Sequence, residues 1–311
     1  MPTSSSGTQP PSPRRGHDGA VTPAMDHLIL TRFSAVLSSE LPPAEPDWLW
    51  YRLGFFLDAC HSSMSGQQAG RADTRTEWLV WFDDRCEDDF RAQVEELAAG
   101  VFTPVWTHEV FWTDLRPRIS RHAQAPVLVT TRVDSDDAVA TDFLARIQAE
   151  AAALAPQGED CFVNFPHGLQ LDRLGRLRRC RLRANHYLSL VEHRTAEPPR
   201  TVFVTRHPDA RLAAPVREVQ TPPMWLEVLH GSNLMNSGRG VPCGDHDVRE
   251  RFSISLPCPP QHGMLRSPRR VGEGLARVAD GFRRPWMARD LALVTLDRIR
   301  GDHTMPQRRQ S

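Results

Sequence analysis

Residues Pro126-Val-Leu-Val-Thr-Thr-Arg-Val133, followed at once by Asp134-Ser-Asp-Asp137, decide how this chain is read. A short run rich in valine and threonine is the pattern of a buried strand, and it stops at three carboxylates within four residues. The alanine-rich stretch Ala138 to Leu154 that follows reads as a helix, with Asp136, Asp137 or Thr141 near its start. Strand, acidic turn and helix together form one unit of an α/β fold.

The same unit appears upstream. His27 to Phe33 is a strand-length apolar run, and Trp48 to Cys60 carries apolar residues at helical spacing. Glu77 to Phe82 is a second buried-strand pattern, ending in Asp83-Asp84 and leading to a polar-faced helix at Glu87 to Leu97. Val101 to Thr107 predicts a further strand. Strands alternating with helices imply a mostly parallel central sheet flanked by helices, a Rossmann-like arrangement whose ligands bind beyond the carboxyl ends of the strands. Downstream, Cys161 to Phe165, Leu169 to Leu171, Leu177 to Leu182 and Thr201 to Thr205 are short β-like runs divided by turn signals, so the second half should be richer in β structure. Residues 1 to 25 are rich in Ser, Pro and Gly and predict a disordered tail. The main domain is placed at 26–236, and 237–311 reads as a loop-rich extension with a terminal helix at Arg289 to Arg300.

Composition excludes several classes. Lys+Arg and Asp+Glu are both 38, which leaves no global field for nucleic acid or an anionic membrane. Every Lys+Arg residue is arginine, so Schiff-base and P-loop lysine chemistry are ruled out and phosphate must be met by arginine, backbone N–H groups or a metal. The six cysteines contain no C-x-x-C pair and suit reduced thiols. No apolar run is long enough to span a membrane, and the expected location is cytoplasmic, with room for peripheral association at a membrane surface.

The chemistry is expected at the two acidic strand ends, which parallel-sheet logic puts on one edge. Carboxylates at i and i+2 after a strand can present oxygen to Mn²⁺ or Mg²⁺ and leave coordination places for phosphate. The plainer alternative is that these aspartates only cap the next helix. Arg32 and Arg132, each at or near a strand end, are candidates for phosphate or carboxylate contact, against an ordinary salt bridge to Asp83, Asp84 or Asp137. Thr31 and Phe33 are candidates to flank a nucleobase. A Cys243-x-x-His246 and Cys258-x-x-x-His262 arrangement has zinc-type ligands but no standard spacing. The sequence has no G-x-S-x-G elbow.

The runs Asp26 to Phe33, Tyr51 to Phe56, Trp78 to Arg85, Thr131 to Ala138 and Pro223 to Gly231, taken in order, resemble the rhamnosyltransferase family. More broadly the pattern is similar to GT-A glycosyltransferases, which implies a GT-A-like fold. In that group a carboxylate after an early strand contacts the nucleoside, and a D-x-D motif holds metal and diphosphate. The resemblance assigns Asp83 or Asp84 to the nucleoside and Asp134 with Asp136 to the D-x-D role, with Asp136 expected as the direct metal ligand and Asp134 reaching the ribose, or the metal through water. It further implies a late metal-binding histidine, matched by His230, and a late general base, matched by Glu227. The function expected is metal-dependent transfer of a sugar such as rhamnose from a nucleotide-sugar to a hydroxyl on a glycan, lipid or small acceptor. The rivals are a metal-dependent nucleotidyltransferase or phosphohydrolase using the same carboxylates, and a non-catalytic nucleotide-sugar-binding protein.

Overall fold

The structure is a computed structural model and describes residues 24–172, 175–183, 185–229, 240–243 and 248–256. The first-half pattern is realised as β1 (Met25–Arg32), β2 (Thr74–Phe82), β3 (Thr103–Trp106) and β4 (Val127–Arg132). β1 pairs parallel with both β2 and β4, and β2 pairs parallel with β3. The register sets Arg32 beside Trp81 and Leu30 beside Arg132, so these strands end on one edge. That edge therefore collects Arg32, Asp83 and Asp134.

The connecting helices are α1 (Pro46–Phe55), continued by a wider π-helical segment Phe56–His61 into α2 (Ser62–Ser65), then α3 (Asp88–Ala98), α4 (Phe111–His122) and α5 (Phe143–Leu154). α1, α3 and α5 cover one face of the sheet around Phe33, Phe56, Trp78 and Phe82, while α4 closes the other around Leu28, Trp81 and Leu128. α4 contains Pro117, which lacks the N–H an interior helical turn needs. That residue reads as a breaker, and the helix is not expected from sequence.

Beyond the acidic turn come β5 (Ala138–Val139), β6 (Cys161–Asn164), β7 (His167–Asp172), β8 (Leu177–Arg181), β9 (Ser189–His193), β10 (Val216–Glu218), β11 (Trp225–Leu229) and β12 (Val241–Pro242). The main sheet runs β10-β6-β9-β4-β1-β2-β3, with β9 antiparallel to both neighbours. A second sheet runs β12-β8-β7-β11-β5, parallel only between β11 and β7. A mixed α/β fold with a mostly parallel central sheet and a β-richer second half is thus what the chain adopts.

Three expectations are corrected. Helix α5 begins at Phe143 and not at Ala138, because Ala138 and Val139 pair with β11 as a strand. Its N-cap is Asp142, so Asp134, Asp136 and Asp137 are free of capping duty. Thr201 to Thr205 is a tight turn and no strand: Thr201 has φ 64°, a conformation costly for a β-branched residue. β1 also starts one residue inside the expected tail, with Met25 buried. His230, His246, Cys258, His262 and the Arg289 to Arg300 helix lie outside the described residues, as do residues 1–23 of the tail.

Candidate active site

The turn after β4 is a cluster of three carboxylates with three different partners. Asp134 is clamped by Arg132, whose Nε and Nη2 donate to its two oxygens at 2.9 Å each. Asp136 accepts from Arg52 Nη1 at 2.8 Å, and Arg52 Nη2 donates to Ser135 Oγ at 2.8 Å. Asp137 points inward, where its Oδ2 accepts from Tyr187 Oη at 2.8 Å and His186 Nε2 at 3.2 Å, and its Oδ1 from the Val228 N–H at 2.8 Å.

His186 and Tyr187 come from the loop before β9, and the reason they arrive here is topological. β9 runs antiparallel to β4 with Ser189 beside Thr131, which brings the residues before β9 next to those after β4. Asn185 fixes the loop: its Nδ2 donates to Asn164 Oδ1 and the Phe165 carbonyl, and its Oδ1 accepts from the Tyr187 N–H. The Tyr187 ring stacks on Trp225 with centroids 5.3 Å apart, and Trp225 Nε1 donates to the Phe165 carbonyl.

Electrostatics divide the carboxylates. Burial acts to raise the Asp134 pKa, but Arg132, His186 and Arg32 outweigh it and hold the group well below the usual carboxylate range. Asp137 moves the opposite way, pushed up by burial first and by Asp136 next, with His186 opposing. Burial lowers the pKa of His186 while its bond to Asp137 and the nearby Asp134 raise it, and the net shift is upward. His207, whose ring centroid is 6.1 Å from that of His186, is depressed to about 4 by burial first and then by the coulombic influence of His186 and Arg132.

Among the described residues, Asp134, Asp137 and His186 each place one donor atom within 4.8 Å of the others. The two carboxylates suit Mn²⁺ or Mg²⁺ with places left for phosphate oxygens, and the imidazole adds a nitrogen donor of the kind softer divalent ions prefer. Asp134 accepts two and Asp137 three hydrogen bonds, of about four that a carboxylate can take, so both keep lone pairs for a cation. The residues present fit such a metal.

The other expected site residues fall in separate places. Asp83 is bound by Arg85 through Nε and Nη2 at 2.9 and 2.7 Å, and Asp84 pairs with His108. Thr31 is fully buried, its hydroxyl accepting from Trp78 Nε1, and Phe33 packs in the aromatic core with Phe56 and Phe82. Glu227, on β11, is 2% exposed and accepts a hydrogen bond from Gln170 on β7. It lies near enough to contribute to the upward push on Asp137. Arg32 lies beside Arg132, over the rings of Phe111, Trp112 and Phe203. The sequence marks Asp137 only as part of the acidic turn and Arg52 only within the Tyr51 to Phe56 run, and it does not single out His186 or Tyr187; strand pairing and helix packing bring these side chains together.

Fold and site together define an α/β protein with an acidic cluster at the carboxyl edge of its parallel strands. Residues 42–240 match the family model described as "Putative rhamnosyl transferase". The chain belongs to that rhamnosyl transferase family, a family of glycosyltransferases. It has no significant match among curated proteins. Among solved structures it is similar to TarS of S. aureus in complex with UDP, at 14% identity, TM-score 0.28, covering 45% of this chain and 35% of that one. A TarS complex with UDP-GlcNAc aligns at 13% identity, TM-score 0.35, over 67% of this chain and 59% of the other. A 4-diphosphocytidyl-2C-methyl-D-erythritol synthase from Anaerococcus prevotii aligns at 7% identity, TM-score 0.33, over 63% and 86%. The chain spans between about a fifth and three fifths of the TarS chains it matches, and likenesses this distant carry no functional argument.

Proposed function

We propose that this chain is a metal-dependent glycosyltransferase that moves a sugar, rhamnose being the family's suggestion, from a nucleoside-diphosphate donor to a hydroxyl acceptor. The observation that carries the reading is the convergence of Asp134, Asp137 and His186 at the carboxyl edge of β4, in a chain of this family. A divalent cation held there would offset the charge that grows on a departing diphosphate.

The chain's own residues supply the rest. Arg132 fixes both oxygens of Asp134 in one plane. Tyr187 and the Val228 N–H hold Asp137 from two sides, so its carboxylate is oriented before any ligand arrives. The π-stacked Trp225 backs Tyr187 and keeps that wall rigid and dry. Asp83 and Asp84, just beyond the end of β2 on the same edge, are our candidates for the nucleoside contact.

The test is product analysis. A panel of nucleotide-sugars, incubated with Mn²⁺ and candidate hydroxyl acceptors, should yield nucleoside diphosphate and glycosylated acceptor. Release of pyrophosphate instead would show nucleotidyl transfer and overturn the reading; donor binding without any product would reduce the chain to a binding protein.

A further inference from the structure

Arg32 ends β1, and its guanidinium makes no hydrogen bond or ion pair among the described residues. It is nonetheless largely enclosed, over the rings of Phe111, Trp112 and Phe203 at 5.7, 5.7 and 5.2 Å from their centroids. Arg132 approaches the same Phe203 ring at 5.7 Å, but its fork is occupied by Asp134. Two positive charges therefore share one ring, with the carboxylate of Asp134 as their nearby counter-charge. Burial and Arg132 pull the Arg32 pKa down and Asp134 opposes them, yet an arginine stays charged in a protein. Ring faces offset that charge but accept none of its five N–H groups.

The cage is built deliberately from a distance. Glu192 on β9 accepts the N–H groups of Arg200 and Thr201 at 2.7 and 2.9 Å, and Thr130 Oγ1 accepts that of Val202 at 2.8 Å. These bonds hold Thr201 in its left-handed conformation and so aim Phe203 under the two arginines.

We propose that Arg32 is the phosphoryl-binding residue of this site, with Phe203 as its floor and Glu192 as a positioning residue for that floor. The assignment rests on the transferase reading above. A planar fork with open donors, two residues past the Leu30–Arg132 pair at the end of β1 and within coulombic reach of Asp134, matches two oxygens of a phosphate. As the bond from the sugar's anomeric carbon to the diphosphate oxygen breaks, its electron pair stays on that oxygen, and Arg32 donates to the charge. The acceptor oxygen bonds to the carbon and passes its proton to solvent. Arg132, by contrast, orients Asp134.

The experiment is calorimetric titration of the full chain, with Mn²⁺, by UDP and dTDP and by uridine and thymidine. Arg32→Gln should weaken diphosphate binding roughly tenfold to a hundredfold while leaving the nucleosides unchanged, and Arg32→Lys should restore part of it. Glu192→Gln, checked for folding by its thermal midpoint, should show the same split between diphosphate and nucleoside to a smaller degree. Arg71→Gln, at an exposed pair with Asp73, should change nothing. Unaltered diphosphate affinity in Arg32→Gln overturns the assignment, and so does an equal loss of affinity for the nucleosides. If the parent chain binds neither diphosphate, the transferase reading itself falls.

Discussion

Arg52 reaches from α1 to Asp136 at 2.8 Å, and this ion pair takes the middle carboxylate of the tetrapeptide away from the cluster formed by its neighbours Asp134 and Asp137 with His186. Both members of the pair are mostly enclosed, at 14% and 12% side-chain exposure. Asp136→Asn should therefore act mainly on stability, on the order of 3 kcal/mol for stripping one partner from a buried pair. Asp137→Asn should act mainly on the cation. Denaturant midpoints and Mn²⁺ titrations of the two variants, side by side, check this; an Asp136→Asn that binds Mn²⁺ worse than Asp137→Asn would return the ligand role to Asp136.

Gly168 on β7 lies so close to the Trp225 ring that a Cβ there would sit 2.0 Å from it. Trp225 cannot yield, because its Nε1 is bonded to the Phe165 carbonyl and its face carries Tyr187. Gly168→Ala should cost about 1–3 kcal/mol by overpacking and loosen the Tyr187 bond to Asp137. Urea unfolding measures the first effect, and a drop in Mn²⁺ affinity the second.

His27 is wholly buried, donating from Nε2 to Thr131 Oγ1 and accepting at Nδ1 from Gln148. Burial lowers its pKa from 6.5 to about 3, so it is neutral in the fold. The unfolded chain takes up a proton below about pH 6.5 that the folded chain refuses. Stability from this residue is thus fully present above that pH and lost as pH falls toward 3, at up to roughly 1.4 kcal/mol per unit. His27→Gln should flatten the slope between pH 6.5 and 4 in pH-resolved unfolding.

The sheet edge was legible because strand runs such as Val127 to Thr131 end abruptly in charge, and a parallel register needs little more than alternating elements. The second sheet hid the start of α5: Ala138 and Val139 have no local reason to be a strand, and only the β11 partner, far along the chain, makes them one. Asp134 and the acidic turn announced themselves by composition. His186 and Tyr187 could not, since a histidine and a tyrosine in an irregular loop acquire meaning only when β9 turns antiparallel against β4. The same holds for Arg52, whose spacing in α1 speaks of amphipathicity and not of its partner Asp136.

A cation centre made by Asp134, Asp137 and His186 that serves a nucleoside diphosphate should be visible in Mn²⁺ binding, followed by electron paramagnetic resonance with and without UDP or dTDP, in the parent chain and in His186→Ala. The nucleotide should tighten Mn²⁺ binding in the parent, and His186→Ala should weaken it roughly tenfold or more. Equal Mn²⁺ affinity in the two proteins, indifferent to nucleotide, would contradict such a centre.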